Sequence, residues 1–383
     1  VNSVKDVLKK NTMLFILLIV ALFFGWKTNG VLFDPQNVTN LIAQNGHVVI
    51  LAVGMLLCIL TGGNIDLSVG SVVAFIGAVA GKLMVTYKMN FGLVIVICLV
   101  LGILIGMWQG FWIAYIRIPS FIVTLAGMLL WRGVALIILD GLTISPFPDD
   151  FKMIFNSYIA NPFGGSINLM CMLAAVLACL AYIFVVVNSR RNRQRKGYAV
   201  EKLAPSVGKT AVICLVILLA AYRMAQFQGL PTILVILAVV VGVYTYYTSK
   251  TVGGRYLYAV GGNEKAAKMS GVNTNRVLFF AFTNMAFLSA VAALVCVARF
   301  NSAAPTAGKN YEMDAIASCY IGGASAYGGT GTVMGAVIGA VFMGLLNNGM
   351  SIMGVDSNWQ QAIKGLVLLA AVAFDVISKK KSR

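Results

Sequence analysis

The sequence is poor in charge and poorest in acid: 11% of its 383 residues are charged, with 12 Asp and Glu against 29 Lys and Arg. A soluble domain carries about 25% charged and about 45–50% apolar residues, whereas 60% of this chain is hydrophobic and its mean hydropathy is +0.88. An ordinary soluble fold is excluded. Histidine is nearly absent, His47 standing alone, and none of Cys58, Cys98, Cys171, Cys179, Cys214, Cys296 and Cys319 forms a Cys-x-x-Cys pair. Neither a zinc site nor a disulfide framework is readable; the cysteines read as small core residues, and no metal is expected. With one His, no Ser/His arrangement and no paired carboxylates, no catalytic constellation can be assembled, so the chain is not expected to be an enzyme. A net charge of +17 raises nucleic acid as a partner. The basic residues fall between apolar runs rather than on one soluble face, which removes that reading.

What the sequence does contain is apolar runs near the roughly 20 residues a helix needs to cross a bilayer. Candidate spans lie at 13–26, 40–61, 68–87, 91–115, 120–139, 167–187, 210–225, 230–248, 277–298, 314–327, 332–352 and 359–377. The first and tenth are short or glycine-interrupted, so ten to twelve crossings are expected, some broken or re-entrant where protein or water satisfies the backbone. The fold class is an all-α polytopic membrane protein, one transmembrane domain over 1–383. Cytoplasmic loops carry the excess of Lys and Arg. Numbering loops alternately puts on one side Lys5, Lys9 and Lys10; Arg117; Arg190, Arg191, Arg193, Arg195, Lys196, Lys202 and Lys209; Lys250, Arg255, Lys265, Lys268 and Arg276; and Lys379, Lys380, Lys381 and Arg383. The other side receives Lys27, Lys88, Lys152, Arg223, Arg299 and Lys309. Both termini are therefore expected in the cytoplasm, with the first run read as an uncleaved helix ending at Phe24-Gly25-Trp26. The longer polar stretches are 140–166 outside and 249–276 inside.

Polar residues at membrane depth are costly and face an interior or a cavity. Asp66, flanked by Asn64 and Ser68, suits either a cap for a helix beginning near Ser68 or a place on a substrate path; Asn347 and Asn348 suit a path for a neutral, hydroxyl-rich solute. Gln44, Asn45, Gln109 and Asn284 are weaker candidates. His47 is either a packed ring or a proton relay. Lys364 and Asp375 share one face of the last helix. Gly331, Gly335 and Gly339 recur every four residues, for close helix packing or a pore lining. Thr61-Gly62-Gly63 followed by Gly70 echoes Ile321-Gly322-Gly323 followed by Gly331, which raises an internal repeat; if it is real, the two glycine turns should meet.

In the inner loop, Gly253 and Gly254 end what precedes, Asn263 is a good N-cap, Glu264 complements a helix start, and Gly271 is a natural stop. A short freestanding helix there, over about 262–273, gives a partner something to dock on. Its Glu-x-Ala-x-x-x-Ser-Gly pattern, Glu264, Ala266, Ser270 and Gly271, resembles the coupling loop of permeases of binding-protein-dependent ABC importers, although the usual Glu-Ala dipeptide is here Glu264-Lys265. Four further stretches resemble the monosaccharide branch of that family, the ribose, galactose and xylose permeases: Ile65–Ser71, Ile118–Met128, Ala303–Gly308 with Asp314–Ala317, and Leu346–Ser351. The chain looks most similar to the xylose and multiple-monosaccharide permeases. The resemblance implies a bacterial inner-membrane protein with an ATPase-coupling segment at Gly262, Asn263, Glu264, Ala266, Ser270 and Gly271. It further implies an ABC ATPase subunit on the cytoplasmic side, a periplasmic or extracellular sugar-binding protein, a second permease copy forming a homodimer, and no cofactor in this chain. Asp66, Ser68, Asn347 and Asn348 are the substrate-path candidates. Gly208-Lys209-Thr210 ends like a Walker A loop, but Leu203 stands where its first glycine belongs. The competing class is an ion-coupled secondary transporter for a small polar solute.

Overall fold

The computed structural model describes residues 12–162, 164–165, 167–198 and 203–380. Lys5, Lys9, Lys10, Lys202, Lys381 and Arg383, used above for orientation, lie outside them. Among the described residues there is no strand, only two isolated backbone bridges, Ile144 with Ala303 and Tyr158 with Pro231.

The chain runs through α1 (Thr12–Lys27), a 3-10 turn, and α2 (Pro35–Leu60), where Pro35 takes the first helical position at no cost in hydrogen bonds. Then come α3 (Val69–Gly81, continued as a π turn Lys82–Thr86), α4 (Phe91–Ala114), α5 (Ser120–Leu139), the short α6 (Asp149–Phe155), α7 (Leu169–Arg195), α8 (Leu203–Ala225) and α9 (Thr232–Lys250). Two short helices follow, α10 (Val252–Gly262) and α11 (Glu264–Met269), and then α12 (Thr274–Phe300), α13 (Tyr311–Ile321), α14 (Val333–Ile352) and α15 (Ser357–Lys380). Asparagine sets several starts: Asn90, Asn168, Asn263 and Asn273 each accept a backbone N–H of the first helical turn.

Ten of these helices are long and apolar enough to cross a membrane. The two remaining runs, the first and the tenth, are short among the described residues: α1 has 16 residues there, and the tenth run becomes the 11-residue α13 followed by a glycine turn. At 1.5 Å per residue α13 spans about 16 Å, half a bilayer core of about 30 Å.

The most enclosed helix is α2, with 83% of its apolar window buried, whereas none of the corresponding window of α15 is. In lipid there is little hydrophobic drive between helices, so close packing of small residues does the work. Gly102, Gly106 and Gly110 of α4 illustrate it, since a Cβ on Gly106 would stand 2.5 Å from Thr283 Cα of α12. The second glycine series serves packing too: a Cβ on Gly339 would lie 1.9 Å from Ser318 O, and one on Gly335 2.3 Å from Gly322 O. Six of the seven cysteines are buried, Cys214 being half-buried. Gly208-Lys209-Thr210 lies within α8 and forms no loop.

Candidate functional site

Two spans are broken, and the breaks meet. After Leu60 the chain turns through Gly62 and Gly63, both with positive φ, climbs back beside α2 until Asp66 N–H meets Met55 Sδ at 3.5 Å, and starts α3 at Val69. After Ile321 it turns through Gly323, Gly328 and Gly329, again with positive φ, before α14. Gly329 N–H donates to Leu60 O at 3.1 Å, and a Cβ on Gly63 would stand 2.1 Å from Ala326 O. The turns touch backbone to backbone.

The starts of the two broken helices also abut. A Cβ on Gly70 would be 2.1 Å from Gly308 O, and one on Gly308 2.0 Å from Gly70 O. Asp66, Glu312 and Asp314 flank these starts, where the helix dipole favours negative charge. Arg132 of α5 closes the centre from the side by donating to Ala307 O at 2.5 Å and Pro305 O at 3.3 Å.

Next to this centre is a cavity of about 250 Å³, between α2, α14 and the ends of α12 and α13. It is smaller than the roughly 300–1,000 Å³ of sites for drug-sized ligands. Asn347 and Asn348 line it, with Gln44, Asn45 and His47 of α2, and Arg299, Tyr311 and Asp314. Asn347 Oδ1 is buried with no partner. Asn348 exchanges a reciprocal amide pair with Asn37, at 2.9 and 3.0 Å, which fixes its orientation. His47, near the middle of α2, is packed: its ring lies 4.3 Å from that of Tyr311.

Asp66 and Ser68 are not in this cavity. Asp66 Oδ1 accepts the Ser68 N–H at 2.8 Å and the Ser68 hydroxyl at 2.6 Å, and Gln109 Nε2 donates to Ser68 Oγ at 2.7 Å. All three residues are at most 1% exposed, and Asp66 Oδ2 and Gln109 Oε1 have no partner. Asp66 is not a helix cap either, because it holds the residue that precedes the first turn of α3 rather than an N–H within it. Residues 347–348 and 66–68 thus form two separate sites. Asp314 and Lys364 form an ion pair that the sequence reading did not bring together: Lys364 Nζ of α15 lies 3.0 and 3.1 Å from the two carboxylate oxygens of Asp314. The signal was there, an acid and a lysine each inside an apolar run, but 50 residues of chain separate them. Asp375, on the other hand, accepts the Ala326 N–H at 3.3 Å, from the second glycine turn.

The inner loop differs from its expected form. Gly253 and Gly254 do not end a helix but sit in the first turn of α10, because Thr251 caps a new helix there and α10 folds back on α9 so closely that a Cβ on Gly254 would be 2.2 Å from Tyr247 O. The expected helix is α11, shorter than 262–273, and a separate helix, α10, precedes it and is not freestanding: Leu257 and Val260 are at most 2% exposed. Asn263 does cap α11, accepting Ala266 N–H at 3.0 Å, and Gly271, at φ +84°, does stop it. Ser270 Oγ donates back to Ala266 O at 3.0 Å. The end of α10 reaches the glycine turns, where a Cβ on Gly261 would stand 1.8 Å from Leu60 O and 2.5 Å from Gly329 N. Glu264 meets Arg117 Nη1 at 2.6 Å, while the same guanidinium donates to Thr274 and Asn275. Burial pushes the Glu264 carboxyl up, but hydrogen bonds from Arg117 and Thr274 and the charges of Arg117 and Lys268 hold it below its ordinary value.

The family described as branched-chain amino acid transport system / permease component matches residues 37–372. The chain is 38% identical to the xylose transport system permease protein XylH of Escherichia coli (strain K12), over 97% of this chain and 92% of that protein. It is 34% identical to the ribose import permease protein RbsC of Haemophilus influenzae (strain ATCC 51907 / DSM 11121 / KW20 / Rd), over 94% and 91% of the two chains. Its identity to the ribose import permease protein RbsC of Escherichia coli (strain K12) is 33%, over 96% and 94%. No solved structure matches it.

Proposed function

The chain belongs to the family of transport-system permease components that residues 37–372 match, and we propose that it forms the membrane path of an ATP-driven importer for a monosaccharide such as xylose or galactose. The sugar enters from the side opposite α10 and α11, passes the cavity lined by Asn347 and Asn348, and leaves past the two glycine turns. The permease takes no cofactor; ATP is hydrolysed by a partner chain on the cytoplasmic side, a binding protein delivers the sugar outside, and a second copy of this chain completes a homodimer. The N- and C-termini lie in the cytoplasm, with the ends bearing Arg117, Arg190–Lys196 and Lys250–Arg276, in keeping with the bias of basic residues. The two broken spans, α2–α3 and α13–α14, are halves of an internal repeat, an arrangement in which transporter sites lie at the repeat interface.

The observation that carries this reading is the seat of α10. Its last residues touch both glycine turns through backbone, so a force applied to Gly262–Gly271 reaches both broken spans with no flexible side chain between. Asn263 and Glu264 set the geometry of that handle, Asn263 by capping α11 and Glu264 by tying it to Arg117. ATP-driven closure of the partner then rocks the turns between outward-open and inward-open states. The sugar follows through its differential contacts with the two states rather than by tight binding.

The test is sugar uptake into vesicles holding this chain with its ATPase and binding protein, comparing wild type with Glu264→Lys. The Glu264–Arg117 pair is about 40% exposed on both sides, 41% and 43%, and so contributes at most about 1 kcal/mol to stability. The variant folds, and ATP-dependent uptake collapses. Uptake driven by an ion gradient, independent of ATP and indifferent to residue 264, would instead assign the chain to the ion-coupled secondary transporters, with Asp66 among the candidate coupling acids.

A further inference from the structure

Asp314 is the only acid among the residues lining the 250 Å³ cavity. Its side chain is 8% exposed, and an isolated carboxylate at this depth is strongly disfavoured. Lys364 compensates it, at 3.0 and 3.1 Å from the two oxygens. The lysine comes from behind: it lines a second space of about 200 Å³, between α13, α14 and α15, whereas Asp314 lines the first and Lys364 does not. The carboxylate therefore stands between the two, its charge balanced by Lys364 from one side, its Oδ1 buried, and Asn347 hydrogen-bonding it from the lining of the cavity. A carboxylate accepts at about four lone-pair sites, and one ammonium and one amide do not fill them.

The other lining groups match what a sugar presents. A hydroxyl both donates and accepts; Asp314 accepts, the Arg299 guanidinium donates, and Asn347 offers a buried Oδ1 without a partner. Tyr311, one helical turn before Asp314, carries the ring packed on His47 and gives the cavity an apolar flank against which the C–H face of a pyranose or furanose lies. Lys364 already balances Asp314, so Arg299 is the remaining charge of the lining and serves the solute as a donor.

We infer that Asp314 is a specificity-determining residue of the permease, accepting a hydrogen bond from a hydroxyl of a neutral monosaccharide in the cavity, with Lys364 as the positioning residue that orients its carboxyl group. The inference rests on the importer reading above and adds that the membrane subunit itself reads the sugar, beyond whatever the binding protein selects.

The experiment is ATP-driven uptake by the complete importer in vesicles, with D-xylose, D-galactose and the 2-, 3- and 4-deoxy derivatives of whichever sugar is carried. Wild type is compared with Asp314→Asn and with the double variant Asp314→Asn, Lys364→Gln. The binding protein is the same throughout, so dividing the variant's preference for sugar over deoxy-sugar by the wild-type preference cancels its contribution. The expected result is a fall of about tenfold in that preference, in kcat/KM, for at least one deoxy position and carried mainly by KM; a missing hydroxyl is penalised only when a buried polar group waits for it. Asp314→Asn leaves Lys364 unpaired and can destabilise the protein, so the double variant, which removes both charges, must show the same lost preference. Equal slowing of the sugar and all deoxy derivatives in the folded double variant, or a wild type indifferent to every deoxy position, overturns the inference and leaves the importer standing. Absence of ATP-dependent uptake of either parent sugar by wild type overturns the importer reading and this inference with it.

Discussion

A methyl group at position 261 has no room. Built on the backbone, it stands 1.8 Å from Leu60 O and 2.5 Å from Gly329 N, inside the 3.1 Å hydrogen bond that joins those two atoms. Ordinary contact begins near 3.4 Å, so Gly261→Ala must move α10 away from the first glycine turn by about 3.4 − 1.8 = 1.6 Å. Overpacking of this kind costs about 1–3 kcal/mol, and loss of the Gly329–Leu60 bond adds about 1 kcal/mol, for a total of about 2–4 kcal/mol. The neighbouring glycine is the control. A Cβ on Gly262 meets nothing within 4 Å, and Gly→Ala at a compatible site is neutral or stabilising by up to about 1 kcal/mol. Thermal unfolding of the two purified variants, together with ATP-driven uptake in vesicles, should separate them: Gly261→Ala melts earlier and transports poorly, while Gly262→Ala melts as wild type. Two variants with the same melting temperature and the same transport would refute the seating of α10 on the glycine turns.

Ser68→Ala strands Gln109 Nε2 and removes a donor from Asp66 in a site at most 1% exposed; it should cost about 2–4 kcal/mol in unfolding, and a loss below about 0.5 kcal/mol would contradict the buried network. Asn348→Ala breaks the amide pair with Asn37 and should lower stability by about 1 kcal/mol, whereas Asn347→Ala, which loses a hydrogen bond to Asp314 but none at Oδ1, should lower it by no more than that and raise the KM for sugar. The reverse pattern would exchange their roles. The Glu264 carboxyl is held below its ordinary value of 4.5, so its tie to Arg117 is fully present above that pH and is lost as pH falls through the depressed value. Amide exchange over residues 264–269 should therefore be flat from neutral pH down to about pH 5 and quicken only in stronger acid once corrected for the intrinsic rate. Quickening already near neutrality would mean that another group holds α11.

The membrane class, the all-α architecture and nearly every span were legible in the sequence, because a 20-residue apolar run has few other fates. The cap at Asn263 and the stop at Gly271 were legible for an equally local reason, a side chain or a positive φ acting on its own turn. What failed locally were signals with two meanings. Gly253 and Gly254 read as breakers, yet they serve the close approach of α10 to Tyr247; Asp66 read as a cap or a substrate-path residue, and of these the cap fails, since it holds Ser68 and, through it, Gln109.

By itself the sequence determined which segments leave water, since the transfer of apolar side chains is a property of each run, and it marked the two glycine turns as similar. Only the tertiary structure decided that those turns touch, that Gly261 is wedged between them, and that Asp314 finds Lys364 across 50 residues. Those contacts depend on which helix faces meet in three dimensions. The periodicity of a single apolar helix, uniform around its axis, carries no record of its partner.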